Sequence, residues 1–151
     1  MTGYARKSGL AAYNSVSVHG GVASADPHHL VQMLLDAATE RMMTARGCIE
    51  RGEIARKAKL LHSCVVLVAE LRGSLNMSEG GQLAHNLSAL YEYMTRQLLL
   101  ANLNNDTGRI TEVLALLGNI RSAWVEIGPQ VRQLAQQAVP LSGAGGTAAA
   151  R

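Results

Sequence analysis

Few side chains in this sequence have the type and spacing that catalysis or metal binding requires. His28 and His29 are adjacent, so on a helix their rings point about 100° apart and cannot chelate one ion together. His62 and His85 have no cysteine or carboxylate at the spacing of known zinc ligands, and the glutamates do not form the Glu-x-x-His pairs of di-iron bundles. The sequence therefore predicts no catalytic residue, no metal site and no cofactor.

The two cysteines are predicted to form no disulfide bond with each other. Cys48 precedes a predicted turn at Gly52 and Cys64 follows it. At a rise of about 1.5 Å per residue they lie about 12 Å apart in height, whereas a disulfide needs alpha carbons within about 7 Å. We predict two buried thiols.

Composition favours a globular protein that works through apolar contacts. Of the 151 residues, 48% are hydrophobic and only 3% aromatic, and the net charge of +3 comes from basic residues spread along the chain. Binding to nucleic acid is not expected, because it needs a concentrated basic patch with stacking aromatics. No apolar run reaches the roughly 20 residues that span a membrane, and the first residues lack the apolar region of a signal peptide. We expect a cytoplasmic protein without a membrane span.

The spacing of apolar residues predicts helices and no strand. Asp26-Pro27 is a strong helix start, because Asp accepts from free N–H groups and Pro suits the first helical position. Four helices of similar length with short connections predict an all-α, antiparallel up-down-up-down four-helix bundle. The helices are predicted at about 26–51, 53–75, 80–104 and 108–127, with an interruption at Gly128-Pro129 and a short extension to about Ala138. The predicted organisation is a mobile N-terminal arm, 1–25, a bundle domain, 26–139, and a disordered Gly/Ala-rich tail, 140–151.

The first two helices carry more apolar residues than one buried stripe needs, and the third ends in Leu98-Leu99-Leu100. A four-helix core cannot hide residues that point in every direction, so part of this surface must meet something else. Three explanations stay open: a groove for a partner, cover by the N-terminal arm, or pairing with a second copy.

Several motifs, in order along the chain, match one protein family. The clearest is the run Gly80-Gly81-Gln82-Leu83-Ala84-His85-Asn86-Leu87-Ser88-Ala89-Leu90-Tyr91-Glu92-Tyr93-Met94, which resembles the third-helix signature of the flagellar secretion chaperones of the FliS type. The resemblance covers about residues 13–127. Its other motifs are Tyr13-Asn14-Ser15-Val16, Asp26-Pro27, Leu30–Leu34, Glu70–Asn76, Ala101-Asn102 and Arg121–Trp124.

The resemblance implies a client as well as a fold. It implies that the chain binds the C-terminal, otherwise disordered segment of flagellin, blocks premature filament assembly and keeps the client fit for flagellar type III export. Such recognition lays an amphipathic helix of the client into an apolar groove. An export-gate component and weak self-association are further expected partners. A structural homo-oligomer and a metal- or cofactor-carrying bundle enzyme are the alternative functions.

The predicted client-binding residues come from the apolar helix faces and from the arm. Tyr13 and Val16 form an isolated apolar pair in a polar arm, which we expect to dock in the groove when no client is bound. Leu35 stands where the family usually has a tyrosine, although the acid that follows is kept as Asp36. The candidates are Tyr13, Val16, Leu30, Leu34, Leu35, Leu87, Tyr91, Met94 and Leu98.

Three aromatic residues have predicted orientations. Tyr91 and Tyr93 are two residues apart on a helix and cannot face the same way, so we expect Tyr91 nearer the core and Tyr93 more exposed. Trp124 is predicted to face inward with its indole N–H bound to a partner.

Overall fold

The computed structural model describes residues 26–149, with side chains through 134 and at 136 and 137. That part of the chain consists of four α-helices and no strand, which confirms the predicted fold class. The predicted arm lies outside the described residues. The helices are α1 (Pro27–Glu50), α2 (Ile54–Gly73), α3 (Gly81–Asn104) and α4 (Thr107–Ala149).

Aspartates start two of the helices. Asp26 Oδ1 accepts a hydrogen bond from the backbone N–H of His29 at 3.1 Å, and Pro27 occupies the first helical position. Asp106 Oδ1 accepts in the same way from the N–H of Gly108 at 3.0 Å. Both caps satisfy N–H groups that have no acceptor inside the helix. The predicted start at Asp26-Pro27 is confirmed, and Asp106 caps α4.

The connection between α1 and α2 depends on Gly52, whose φ of +74° lies in the left-handed region. We expect Gly52→Ala to lower the free energy of unfolding by about 1 kcal/mol, because a Cβ disfavours this backbone conformation. Urea unfolding measures the change. The matched control is Gly118→Ala within α4, where an added Cβ meets only open space. We expect the control to raise the free energy of unfolding by about 0.5–1 kcal/mol. Changes of the same sign in both variants would contradict the argument.

The described residues form two compact units, 31–123 and 26–30 with 124–149. Within 31–123 neighbouring helices run antiparallel. In three of the four neighbouring pairs, residues later in one helix contact residues earlier in the other. The remaining pair, α1 and α2, is joined by the short turn at Gly52 and by one contact. These contacts join α1 to α2, α2 to α3, α3 to α4 and α4 back to α1, which is the predicted up-down-up-down order. The pairs are Cys64–Ala38, Lys57–Asn102, Arg72–Ser88, Tyr93–Glu112, Arg109–Gln97, Arg46–Thr111 and Arg121–Asp36.

The core of this unit is built from residues that recur every three or four positions, so each helix turns one stripe inward. The predicted burial of Tyr91 is confirmed, and Tyr93 is the more exposed of the two tyrosines. The buried apolar residues are Leu34, Leu35, Ala38, Met42, Ala45, Cys48, Leu61, Cys64, Val68, Leu71, Ala84, Tyr91, Met94, Leu98, Ala101, Ile110, Val113 and Leu117.

A charged residue is buried with this core. Lys57 is 3% exposed, and its ammonium donates to the carbonyl oxygen of Asn102 at 2.8 Å. That carbonyl lies in the last turn of α3, where backbone oxygens lack partners inside the helix and favour a cation. Lys57 therefore joins the start of α2 to the end of α3.

In the second unit, the start of α1 packs on α4 through two aromatic rings. The rings of His28 and Trp124 stack with centroids 4.4 Å apart and planes 6° apart, and the Trp124 indole N–H donates to the His28 carbonyl at 2.8 Å. The predicted partner for this N–H is thereby identified. Gly128 follows one turn later, and a Cβ built on it would lie 3.2 Å from His28 Nε2.

This packing explains one difference from the sequence-based expectation. The predicted interruption at Gly128-Pro129 is wrong, because α4 continues through both residues to Ala149. A proline inside a helix removes one hydrogen bond and costs about 3 kcal/mol on its own. Here the Trp124 contacts and the close fit of Gly128 against His28 support the helix on the N-terminal side of the proline. The helix also passes the predicted end near Ala138.

Candidate functional site

An open groove of about 660 Å³ lies between α2 and α3 on the outer side of the 31–123 unit. Val65 and Ala69 give it an apolar wall on α2, and Met77 from the α2–α3 connection closes one end. Polar side chains of α3 form the opposite edge. The lining residues are Val65, Ala69, Arg72, Gly73, Met77, Ser88, Glu92, Thr95 and Arg96.

Small residues keep the groove open. The large inward residues of α2, such as Leu61 and Val68, pack in the core, while the flank of the same helix carries Ala69 and Gly73. Ser88 stands opposite on α3. Two helices normally approach closely enough for larger flanking side chains to interdigitate. The side chains of alanine, glycine and serine are too small to fill that space, so an open groove remains between the two helices.

The apolar surface continues beyond the groove toward the other end of the helix pair. Ile54 lies on the same face of α2 as Val65, and Leu99 and Leu103 continue the face of α3 that carries Arg96. The Lys57–Asn102 hydrogen bond places these ends of α2 and α3 side by side. Ile54, Leu99 and Leu103 are 45%, 54% and 78% exposed. Exposed apolar residues grouped on one face of a helix pair in this way are typical of a binding site.

The polar edge of the groove is partly neutralised within the protein. Arg72 Nη2 lies 3.2 Å from Glu92 Oε1, and Arg72 Nε donates to Ser88 Oγ at 2.9 Å. The Thr95 hydroxyl donates to the Tyr91 carbonyl of its own helix at 3.0 Å. These interactions within the protein fix the side chains along the polar edge of the groove in the absence of a ligand.

Among the described residues, none of those predicted to contact a client lines this groove. Tyr13 and Val16 lie outside the described residues. Leu30 and Leu87 are half-buried, and Leu34 is 9% exposed. The structure places the other four in the core, where they are closed off from solvent: Leu35, Tyr91, Met94 and Leu98.

The groove residues could have been found from the sequence by one signal. The second helix has more apolar residues than one stripe can bury, and Val65 belongs to that surplus, as Leu99 does on the third helix. The strongest apolar periodicity instead selects the inward stripe, to which Met94 and Leu98 belong. Periodicity identifies the core-facing side of a helix, whereas a binding surface lies among the apolar residues outside it.

The described residues give little support for metal binding or for a reactive cysteine. No group of three or more His, Cys, Asp or Glu side chains there lies close enough to hold a metal ion. Cys48 and Cys64 are free and buried, as predicted, and burial raises the pKa of the Cys64 thiol to about 12. A thiol that stays protonated is a poor nucleophile. No helix of the described part is long and apolar enough to cross a membrane.

Fold and groove together define a class: antiparallel four-helix bundle proteins with an open apolar groove. The chain belongs to the FliS family, since residues 9–131 match the family described as flagellar protein FliS. This confirms the resemblance seen in the sequence motifs.

Individual relatives agree with the family assignment. The chain is 44% identical over 124 residues to the flagellar secretion chaperone FliS of Salmonella typhimurium, covering 82% of this chain and 92% of that protein. It is 41% identical over 121 residues to the flagellar secretion chaperone FliSB of Pseudomonas aeruginosa, covering 80% and 95%. The flagellar secretion chaperone FliS of Bacillus subtilis is 33% identical over 113 residues, covering 75% and 80%.

Proposed function

We propose that this protein is a cytoplasmic export chaperone that binds the C-terminal segment of flagellin in the α2–α3 groove. Binding there prevents premature polymerisation of flagellin and keeps it competent for flagellar type III secretion. The observation that carries the proposal is the exposed apolar surface along α2 and α3, in a chain of the flagellar secretion chaperone family.

The dimensions of the surface suit a helical client. From Ile54 to Arg72 the α2 face runs for about 27 Å, which is the length of about five helical turns. An amphipathic client helix of that length presents apolar residues at i, i+3, i+4 and i+7 to the groove. A disordered client loses about 2–5 kcal/mol of interaction energy in becoming ordered, so a long apolar contact is needed to offset that cost.

The residues predicted from the sequence have a place in this proposal. Leu30 and Leu87 are half-buried and can contact a client at the surface. Tyr13 and Val16 belong to the arm that we expect to cover the groove when it is empty. An export-gate component that receives the loaded chaperone is part of the same proposal.

Calorimetric titration of the full chain with the C-terminal segment of flagellin tests the proposal. We expect one-to-one binding with a submicromolar dissociation constant, about −8 kcal/mol or stronger, and a negative heat-capacity change from buried apolar surface. No heat at two temperatures, together with no co-elution in gel filtration, would rule out flagellin as the client.

A structural homo-oligomer is the second candidate, and one observation favours it. Ile127, Val131 and Leu134 recur at helical spacing on α4, and Ile127 and Leu134 are exposed. An apolar stripe of this kind can pair with its copy on a second chain. Sedimentation of the chain with and without the flagellin segment separates the two functions. A stable dimer that ignores flagellin supports the structural role, whereas a one-to-one complex supports the chaperone.

A further inference from the structure

The charges at the groove are not balanced. Arg72 and Glu92 pair with each other across the helices at 3.2 Å. Arg96 also lines the groove, and among the described residues no carboxylate lies within ion-pair distance of its guanidinium. The groove therefore combines an apolar wall with one uncompensated positive charge.

The position of Arg96 relates this charge to the apolar surface. Arg96 precedes Leu99 by three residues and Leu103 by seven, so the three side chains share one side of α3. Arg96 is exposed, as Leu99 and Leu103 are. A helix lying along α3 would meet two apolar positions and one cation, spaced at whole helical turns.

We propose that Arg96 selects clients whose docking helix carries an aspartate or glutamate one turn from an apolar anchor. The anchor packs on Leu99, and the carboxylate pairs with the Arg96 guanidinium. The planar guanidinium can donate two parallel N–H hydrogen bonds, one to each carboxylate oxygen, which fixes the register of the client helix as well as its affinity. This inference rests on the proposed function, because it names the client chemistry that the same groove recognises.

The ion pair between Arg96 and the client carboxylate becomes stronger when the client helix covers the groove. An exposed ion pair is weak, since water and salt screen it. A client helix covers the groove and removes water from around Arg96, which lowers the local dielectric and strengthens the pair. A basic residue at the same client position would be repelled, so the site also discriminates against wrong segments.

Charge reversal tests the proposal. In low salt, we expect Arg96→Glu to weaken binding of the flagellin C-terminal segment about five- to tenfold, with a smaller loss at high salt. Arg96→Lys keeps the positive charge, so its affinity for the segment should fall much less. The control is Lys59→Glu, the same reversal of charge at an exposed position of α2 that does not line the groove, which should alter affinity less than twofold.

Rescue identifies the client residue. Each aspartate and glutamate of the segment is replaced in turn by lysine and titrated against the native chain and Arg96→Glu. One such lysine variant should bind Arg96→Glu more tightly than it binds the native chain. Equal losses for Arg96→Glu and Lys59→Glu, or no rescue by any lysine variant, would overturn the inference and leave the proposed function intact. Failure of the native chain to bind the native segment would overturn both.

Discussion

Val65→Asp should weaken binding of the flagellin C-terminal segment at least about 100-fold, which corresponds to about 2.7 kcal/mol. Val65 lies on the apolar wall of the groove and is half-buried in the free protein. An aspartate there stays hydrated until a client arrives, and then an unpaired carboxylate must lose water against apolar side chains. Calorimetric titration measures the loss, and circular dichroism checks that the helices remain.

The neighbouring residue provides a matched control for this prediction. Val66 is on the same helix and is 41% exposed, but it does not line the groove. Adjacent helical residues point about 100° apart, so Val66→Asp introduces the same charge on another face. We expect native-like affinity for that control. Equal affinities for the two variants, whether both weak or both native-like, would show that the client docks elsewhere.

Leu98→Ala should lower the free energy of unfolding by about 2–5 kcal/mol, a large fraction of the total stability of a domain this size. Leu98 is completely buried and belongs to the inward stripe of α3. Truncation removes apolar contacts and leaves a cavity that packed neighbours fill only in part. Urea unfolding, monitored by circular dichroism, measures the change. Client affinity of the folded fraction should change little, because Leu98 faces away from the groove.

Leu99→Ala serves as the control, because we expect it to lower affinity for the segment and to leave stability nearly unchanged. Leu99 is 54% exposed, so we expect its truncation to change stability by less than about 0.5 kcal/mol. Its side chain lies on the groove-facing side of α3, so the proposal predicts that affinity for the flagellin segment falls severalfold. If Leu98→Ala instead abolished binding and left stability unchanged, Leu98 would be a client contact and the core would have to be redrawn.

Local signals account for what was predictable from the sequence. The caps at Asp26 and Asp106 and the turn at Gly52 are short-range events, because the groups involved lie within a few residues of each other. Spacings of three and four residues likewise reflect the geometry of one helix. The all-α class, the helix order and the family therefore followed from the chain itself.

The end of α4 shows where local rules stop. Gly128 and Pro129 both disfavour a helix, and nothing in their neighbourhood along the chain says otherwise. The contacts that oppose them come from His28, about a hundred residues earlier, through its stack on Trp124 and its fit against Gly128. Sequence patterns carry no signal for such a distant partner.

The position of the open groove likewise depends on tertiary contacts. Periodicity identified which residues of α3 share a face, and the spacing of Met94 and Leu98 predicted that they lie together. The packing of the helices against one another makes this face the core and leaves Val65, Ala69 and Leu99 beside open space. An apolar side chain is buried or exposed according to what the neighbouring helices place opposite it, and that depends on contacts between residues far apart along the chain, such as Lys57 and Asn102.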